Sequence, residues 1–249
     1  MHSEDPIRQS NASRRETRTS LQARIALLAA RRMVVDGEDP ERAKLKAAEA
    51  LGAGAGPGAR AQLPDNEQLR AALRAYLRSN GGEVHRAWLH ARRQLALRWM
   101  QRLARFRPYL VGAVLDGSAT SAECLELELF TDSAKDVEMA LLELGIDFRV
   151  EAADRPQARV QQLIGFVDTG AQSGAAARRD ALRGVPVLLR VRDPVALRVA
   201  PVVPPGQADP GMHLIERSGR ADERMLRRLL SETAGPGHEA VGAAAEDGP

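Results

Sequence analysis

The residues "DGSATSAECLELELF", from Asp116 to Phe130, carry the clearest local pattern in this chain. It begins with a Gly-Ser pair, which is typical of a tight turn, and ends in a run where leucine and glutamate alternate. A period of two predicts a strand with leucines on one face and Glu126 and Glu128 on the other. The two glutamates either hold a ligand above the sheet or face water, as the outer face of a half-buried strand does.

The pattern of apolar residues changes from helical to alternating at residue 109. Upstream, the spacing predicts four helices, over 20–37, 39–52, 66–80 and 82–106. Downstream it predicts strands over 109–115, 124–130, 147–153, 159–169 and 184–193, with helices over 132–145 and 222–230. We therefore expect an α+β fold, in which a helical N-terminal region packs with a mixed sheet of about five strands.

Local signals mark several helix ends. Ser20 is a candidate cap for the first helix, and Asp39 with Pro40 predicts the start of the second. Gly37 and Gly52 follow the last apolar positions of these two helices and predict their ends. The small-residue stretch "AGAGPGARAQ" after the second helix is typical of a flexible linker.

These elements predict four regions. Residues 1–19 are polar and expected to be disordered, and residues 20–106 form the helical region. Residues 107–200 form the α/β core. Residues 201–249 supply a short helix and a disordered tail.

The composition favours a cytoplasmic bacterial protein. Hydrophobic residues make up 44% of the chain, which is enough to form a core, and the single cysteine, Cys124, fits a reducing compartment. No apolar run is long enough to span a membrane, and the N-terminus lacks the apolar middle of a secretory signal. Only three of the 36 basic residues are lysines, a bias typical of GC-rich bacterial genomes.

The spacing of the acidic pair suggests a chemistry. Two carboxylates two residues apart on a strand can hold magnesium, which bridges phosphate oxygens and stabilises an in-line displacement. A preceding turn brings backbone N–H groups close to phosphate, because glycine has no side chain in the way. The pattern predicts Glu126 and Glu128 as catalytic metal ligands, and Gly117 and Ser118 as the phosphate-binding turn.

Residues 106–150 resemble the core of the nucleotidyltransferase superfamily (DNA polymerase beta-like) in this order of turn, acidic pair and helix. They are most similar to a small group of proteobacterial proteins in which a helical N-terminal region precedes the core. The resemblance extends more weakly over residues 20–194. It implies Mg²⁺ as cofactor, a nucleoside triphosphate as substrate and nucleotidyl transfer as the reaction.

Departures from the family pattern indicate a degenerate site. The family has Asp-x-Asp and a third aspartate in a later strand, whereas this chain has two longer glutamates. Arg190 stands at the position of the third carboxylate, and we expect it to lie on the glutamates' face and pair with one of them. Asp168 or Asp193 would complete the metal site only if the fold brought it to the pair.

The helix predicted over 82–106 is a second candidate site. Seven arginines and no acidic residue lie between Val84 and Pro108, a density that suits the phosphates of a nucleic acid. The arginines are scattered around the helix axis, which favours solvated heads with stems that cover the core. The mid-helix candidates for anion binding are Arg92, Arg93, Arg98 and Arg102.

Two functions from different classes follow. The first is a nucleotidyltransferase-like protein with an eroded metal site, which transfers a nucleotidyl group if it is active. The alternative is a non-catalytic regulatory module that binds nucleotide, RNA or protein. Magnesium dependence separates the two, because binding driven by arginine responds to salt instead.

Overall fold

The fold is taken from a computed structural model, which describes residues 6–53, 62–120, 123–151, 160–168, 184–199 and 212–233. The chain divides into two compact units. Unit 1 comprises residues 1–85, 118–122 and 205–209, and unit 2 comprises the rest. Most of the expected linker (residues 54–61) and the expected C-terminal tail lie outside the described residues.

The helices and strands follow the order that the sequence predicts, with one added helix, α5. The helices are α1 Pro6–Val35, α2 Pro40–Ala50, α3 Asn66–Asn80, α4 Gly82–Arg102, α5 Gly112–Asp116, α6 Ala134–Glu143 and α7 Glu223–Thr233. The strands are β1 Tyr109–Val111, β2 Leu125–Phe130, β3 Phe148–Glu151, β4 Val160–Asp168 and β5 Val185–Arg192.

Unit 1 is built from α1, α2 and α3 around a core of alanine and leucine. The Asp39 carboxylate caps α2 by accepting from the Arg42 N–H at 3.0 Å, with Pro40 at the first helical position, as predicted. Asp65 and Gln68 form a reciprocal capping box at the start of α3. These caps satisfy N–H groups that have no partner inside their own helix.

The first helix begins earlier than expected. We expected a disordered stretch up to residue 19 and a cap at Ser20, but α1 starts at Pro6. Proline suits a first helical turn, and no glycine or further proline interrupts residues 7–35. The predicted stop is confirmed, since α1 ends at Val35 and Gly37 has a left-handed φ of +65°.

Unit 2 contains a five-stranded sheet in the order β1-β2-β5-β4-β3. Strands β2 and β5 are parallel, and all other neighbours are antiparallel. The α+β fold with a mixed five-stranded sheet is therefore confirmed.

One face of this sheet is apolar and covered. It carries buried side chains from four strands: Leu110, Leu125, Leu127, Leu129, Ile164, Phe166, Val187, Leu189 and Val191. Trp99 of α4 packs edge-on against Phe166, with ring centroids 4.7 Å apart. The opposite face is therefore the one that can present polar groups.

No helix in the described ranges has both the length and the apolar character that a bilayer crossing demands.

Candidate functional site

Strand β2 places the two glutamates as the alternation predicts. Residues 125–130 are extended, and Leu125, Leu127 and Leu129 are buried on the apolar face. Glu126 and Glu128 consequently lie on the opposite face of the strand. The predicted strand and the shared face of the glutamates are confirmed.

Strand β5 supplies a guanidinium to each glutamate. Arg190 forms an ion pair with Glu126, which confirms the predicted pairing. Arg192 forms a second pair with Glu128, with Nη1 2.5 Å from Oε1. In the parallel register Glu128 stands beside Arg190, so each glutamate reaches diagonally to the arginine two positions further along β5. We call these four residues the Glu–Arg face.

The Glu–Arg face is neutral and largely covered. Side-chain exposure is 16% for Glu126 and 11% for Glu128, so both carboxylates are poorly hydrated. Such groups need strong partners, and the charge-assisted bonds from arginine provide them. Arg190 is the most exposed of the four side chains, at 39%. A ligand would therefore meet a guanidinium before it met a carboxylate.

The residues at this face do not fit a magnesium ion. Magnesium needs near-octahedral oxygen ligands, which proteins supply from free carboxylates and substrate phosphates. Both carboxylates here are already held by guanidinium groups, whose positive charge would repel a second cation at the same place. Within the described ranges, no cluster of three or more His, Cys, Asp or Glu side chains is placed to hold a metal.

The backbone places neither aspartate that could have completed the site beside the pair. Asp193 accepts the Val195 N–H at 2.7 Å and caps the 3-10 turn that follows β5. Asp168 pairs in register with Val185, at the other end of β5 from Arg190.

The prediction of a strand over 109–115 is wrong for its second half. Only residues 109–111 are extended, and residues 112–116 form the short helix α5. Gly112 breaks the strand, because its φ of +72° is left-handed and incompatible with an extended backbone. An apolar run with one internal glycine can be read either way from sequence alone.

The Gly-Ser pair consequently does not join two strands. Gly117 is the C-cap of α5 with a φ of +80°, and its N–H is donated to the Ala113 carbonyl at 3.0 Å. That N–H is therefore not presented to a phosphate, and Ser118 is only 1% exposed. A phosphate role for Gly117 and Ser118 stays a prediction that this geometry does not favour.

Gly112 is a site residue that the sequence pattern does not reveal. A β-carbon at this position would lie 3.0 Å from the Glu126 carboxyl carbon and 3.0 Å from its Oε1. The glycine therefore leaves room for the carboxylate that Arg190 binds. The only sequence signal was a glycine inside the apolar run "YLVGAVL".

Arg93 corrects the expectation of an anion-binding arginine in mid-helix. Its side chain is buried and donates to the carbonyls of Val114 and Leu115 at 3.1 and 2.8 Å, at the end of α5. Its Nη2 also lies 2.6 Å from the Glu216 carboxylate, whose other oxygen accepts the His213 N–H. Burial lowers the pKa of Arg93, and the charge of Glu216 opposes this shift. Arg93 is thus bound within unit 2 rather than available to a ligand.

The other candidate arginines of α4 divide into two groups. Arg92 lies over the Trp88 ring at 5.0 Å from its centroid, and Arg102 lies over Trp99 at 5.1 Å. Both guanidinium groups therefore make cation–π contacts with aromatic rings of the same helix. Arg98 is exposed. The helix therefore does not gather its four candidates into one binding surface.

An aromatic pair continues the same side of the sheet. Phe130 stands beside Arg192 in register, and its ring meets Tyr109 edge-on at 5.6 Å. The Arg220 guanidinium lies over both rings and donates to the Leu197 carbonyl at 2.9 Å. This end of the sheet is therefore covered by the Arg220 side chain, whose guanidinium is already hydrogen-bonded to the backbone.

Comparisons of this chain with protein-family models, with curated proteins and with solved structures found no match.

Proposed function

We propose that this chain is a nucleotidyltransferase-like protein whose Glu–Arg face is a non-catalytic, metal-independent binding surface. One observation carries the proposal: each glutamate of the spaced pair is held by an arginine of the neighbouring strand. Metal-dependent nucleotidyl transfer needs those carboxylates free, because they would hold the cation that neutralises the triphosphate.

The charges of the face support binding over catalysis. Two glutamates and two arginines sum to zero, so the face offers no net negative charge to attract a divalent cation. To bind one, the carboxylates would have to release both guanidinium groups into a partly desolvated setting, which is costly. Arginine itself recognises phosphate through planar, bidentate hydrogen bonds. The expected ligand is therefore a phosphate-bearing molecule such as a nucleotide, which contacts the exposed side of the Arg190 guanidinium while its Nη2 stays bonded to Glu126.

The first experiment is a calorimetric titration with magnesium and manganese. The wild-type chain should give no heat at micromolar metal. The double variant Arg190→Gln/Arg192→Gln frees both carboxylates and should gain metal binding. Arg224→Gln, which removes an exposed arginine from α7, is the matched control and should gain none. Wild-type heat that disappears in Glu126→Gln would show an intact metal site and overturn the proposal.

The second experiment measures binding of a fluorescent nucleoside triphosphate in magnesium and in EDTA. A surface built on arginine should bind equally well in both, and affinity should fall as salt rises. Arg190→Gln should weaken this binding. Affinity that requires magnesium, together with nucleotidyl transfer to any acceptor, would favour the active enzyme instead.

A further inference from the structure

The two edges of the sheet differ in whether their backbone groups are paired. At the β1 edge, Leu110 and Ala221 exchange both backbone hydrogen bonds, at 2.8 and 2.9 Å, so the segment before α7 covers that edge. Strand β3 forms the other edge, and within the described residues no strand pairs with its outer side. A bare edge presents unpaired N–H and C=O groups, which can pair with another chain.

The sequence of β3 is complementary to itself. The strand reads Phe148-Arg149-Val150-Glu151, so opposite charges flank one valine at a spacing of two. Arg149 is exposed, and Val150 is 52% exposed. If two copies of β3 pair antiparallel about Val150, each Arg149 falls opposite Glu151 of the other copy, and the two valines face each other. Opposite charges at directly facing positions stabilise a strand pair.

Of the alignments centred on or between residues 149 to 151, only this one sets opposite charges against each other. Pairing centred on Arg149 sets the two arginines against each other. Pairing centred between Arg149 and Val150 sets each charge against an apolar residue. A strand that favours one alignment over the adjacent ones forms a specific interface, whereas a strand without such a preference would pair non-specifically.

We propose that β3 is the contact surface for a second copy of this chain, which adds its own β3 antiparallel and joins the two five-stranded sheets into one. The partner is identified by complementarity, because the arginine and glutamate of one copy match those of the other. The contact is short, so the dimer is a weak one that forms as concentration rises. This inference is independent of the function proposed for the Glu–Arg face.

The test is sedimentation velocity over a concentration series of the full chain. The weight-average mass should rise with concentration from that of one chain toward that of two. Arg149→Glu and Glu151→Arg should each remain monomeric, because each sets like charges opposite one another. Arg224→Glu, an exposed charge reversal on α7, should dimerise as the wild type does.

Variants that compensate each other's charge reversals make the test specific. An equimolar mixture of Arg149→Glu and Glu151→Arg should regain the dimer, because both facing pairs again have opposite charges. The double variant Arg149→Glu/Glu151→Arg should also dimerise alone, which keeps the test valid if either single variant folds poorly. A wild-type chain that stays monomeric at every concentration overturns the proposal. So does a dimer that persists in both single variants.

Discussion

Replacing Glu216 by glutamine should destabilise unit 2 strongly, because it removes the carboxylate bonded to the buried Arg93 and leaves only the weaker attraction of Asp116. Glutamine keeps the shape and can still accept a hydrogen bond, and Arg93 keeps its two carbonyl partners. Glu216 is 14% exposed, so part of its attraction is screened. We therefore expect a loss of about 3 kcal/mol, at the low end of the range for breaking a buried ion pair. In a domain of this size that lowers the unfolding midpoint by roughly 6 to 12 °C.

Both tryptophans, Trp88 and Trp99, lie in unit 2, so fluorescence during urea and thermal unfolding reports on that unit. The matched control is Glu143→Gln, which removes an exposed partner of Arg105 and should cost less than about 1 kcal/mol. If Glu216→Gln costs no more than this control, the argument from the buried charge is wrong.

Two further predictions concern the surroundings of Glu126. Burial raises the pKa of the Cys124 thiol, and the negative charge of Glu126 raises it further. Because the thiolate is the reactive form, iodoacetamide should alkylate the folded chain more slowly than the unfolded chain at mildly alkaline pH. Glu126→Gln should lower that pKa and speed alkylation. An unchanged rate would show that the charge of this carboxylate does not affect the pKa of the thiol. Gly112→Ala should destabilise the chain by more than about 1 kcal/mol, because its left-handed backbone and its contact with Glu126 both oppose a β-carbon. Gly145→Ala is left-handed but has open space, so a loss as large as that of Gly112→Ala would show that the contact does not matter.

The parts of unit 2 that follow from local pattern could be predicted from the sequence. The Leu-Glu alternation specifies β2 and its two faces, because side chains on a strand alternate with a period of two. The pairing of Arg190 with one of the two glutamates was predicted as well, from the family resemblance, which sets Arg190 at the position of a third carboxylate on the same face of the sheet.

The parts that depend on distant contacts could not be predicted. Arginine is seldom buried, and the carboxylate that makes burial of Arg93 tolerable, Glu216, lies 123 residues further along the chain. Helix α5 was missed for a different reason. The run "YLVGAVL" suits a buried strand or a buried helix equally, and only the backbone angle of Gly112 decides between them.

The diagonal ion pairs also fix how far along β2 the strand β5 is placed. Both strands alternate, so sliding β5 by two residues would keep every apolar side chain on the covered face. In one direction, Arg190 would reach Glu128 and Arg192 would lose its carboxylate. In the other, Arg192 would reach Glu126 and Arg190 would lose its own. The apolar pattern therefore determines which face of β5 is covered, and the ion pairs determine the position of β5 along β2. Without both pairs, the first consequence would be a mixture of alignments within a folded sheet, not unfolding.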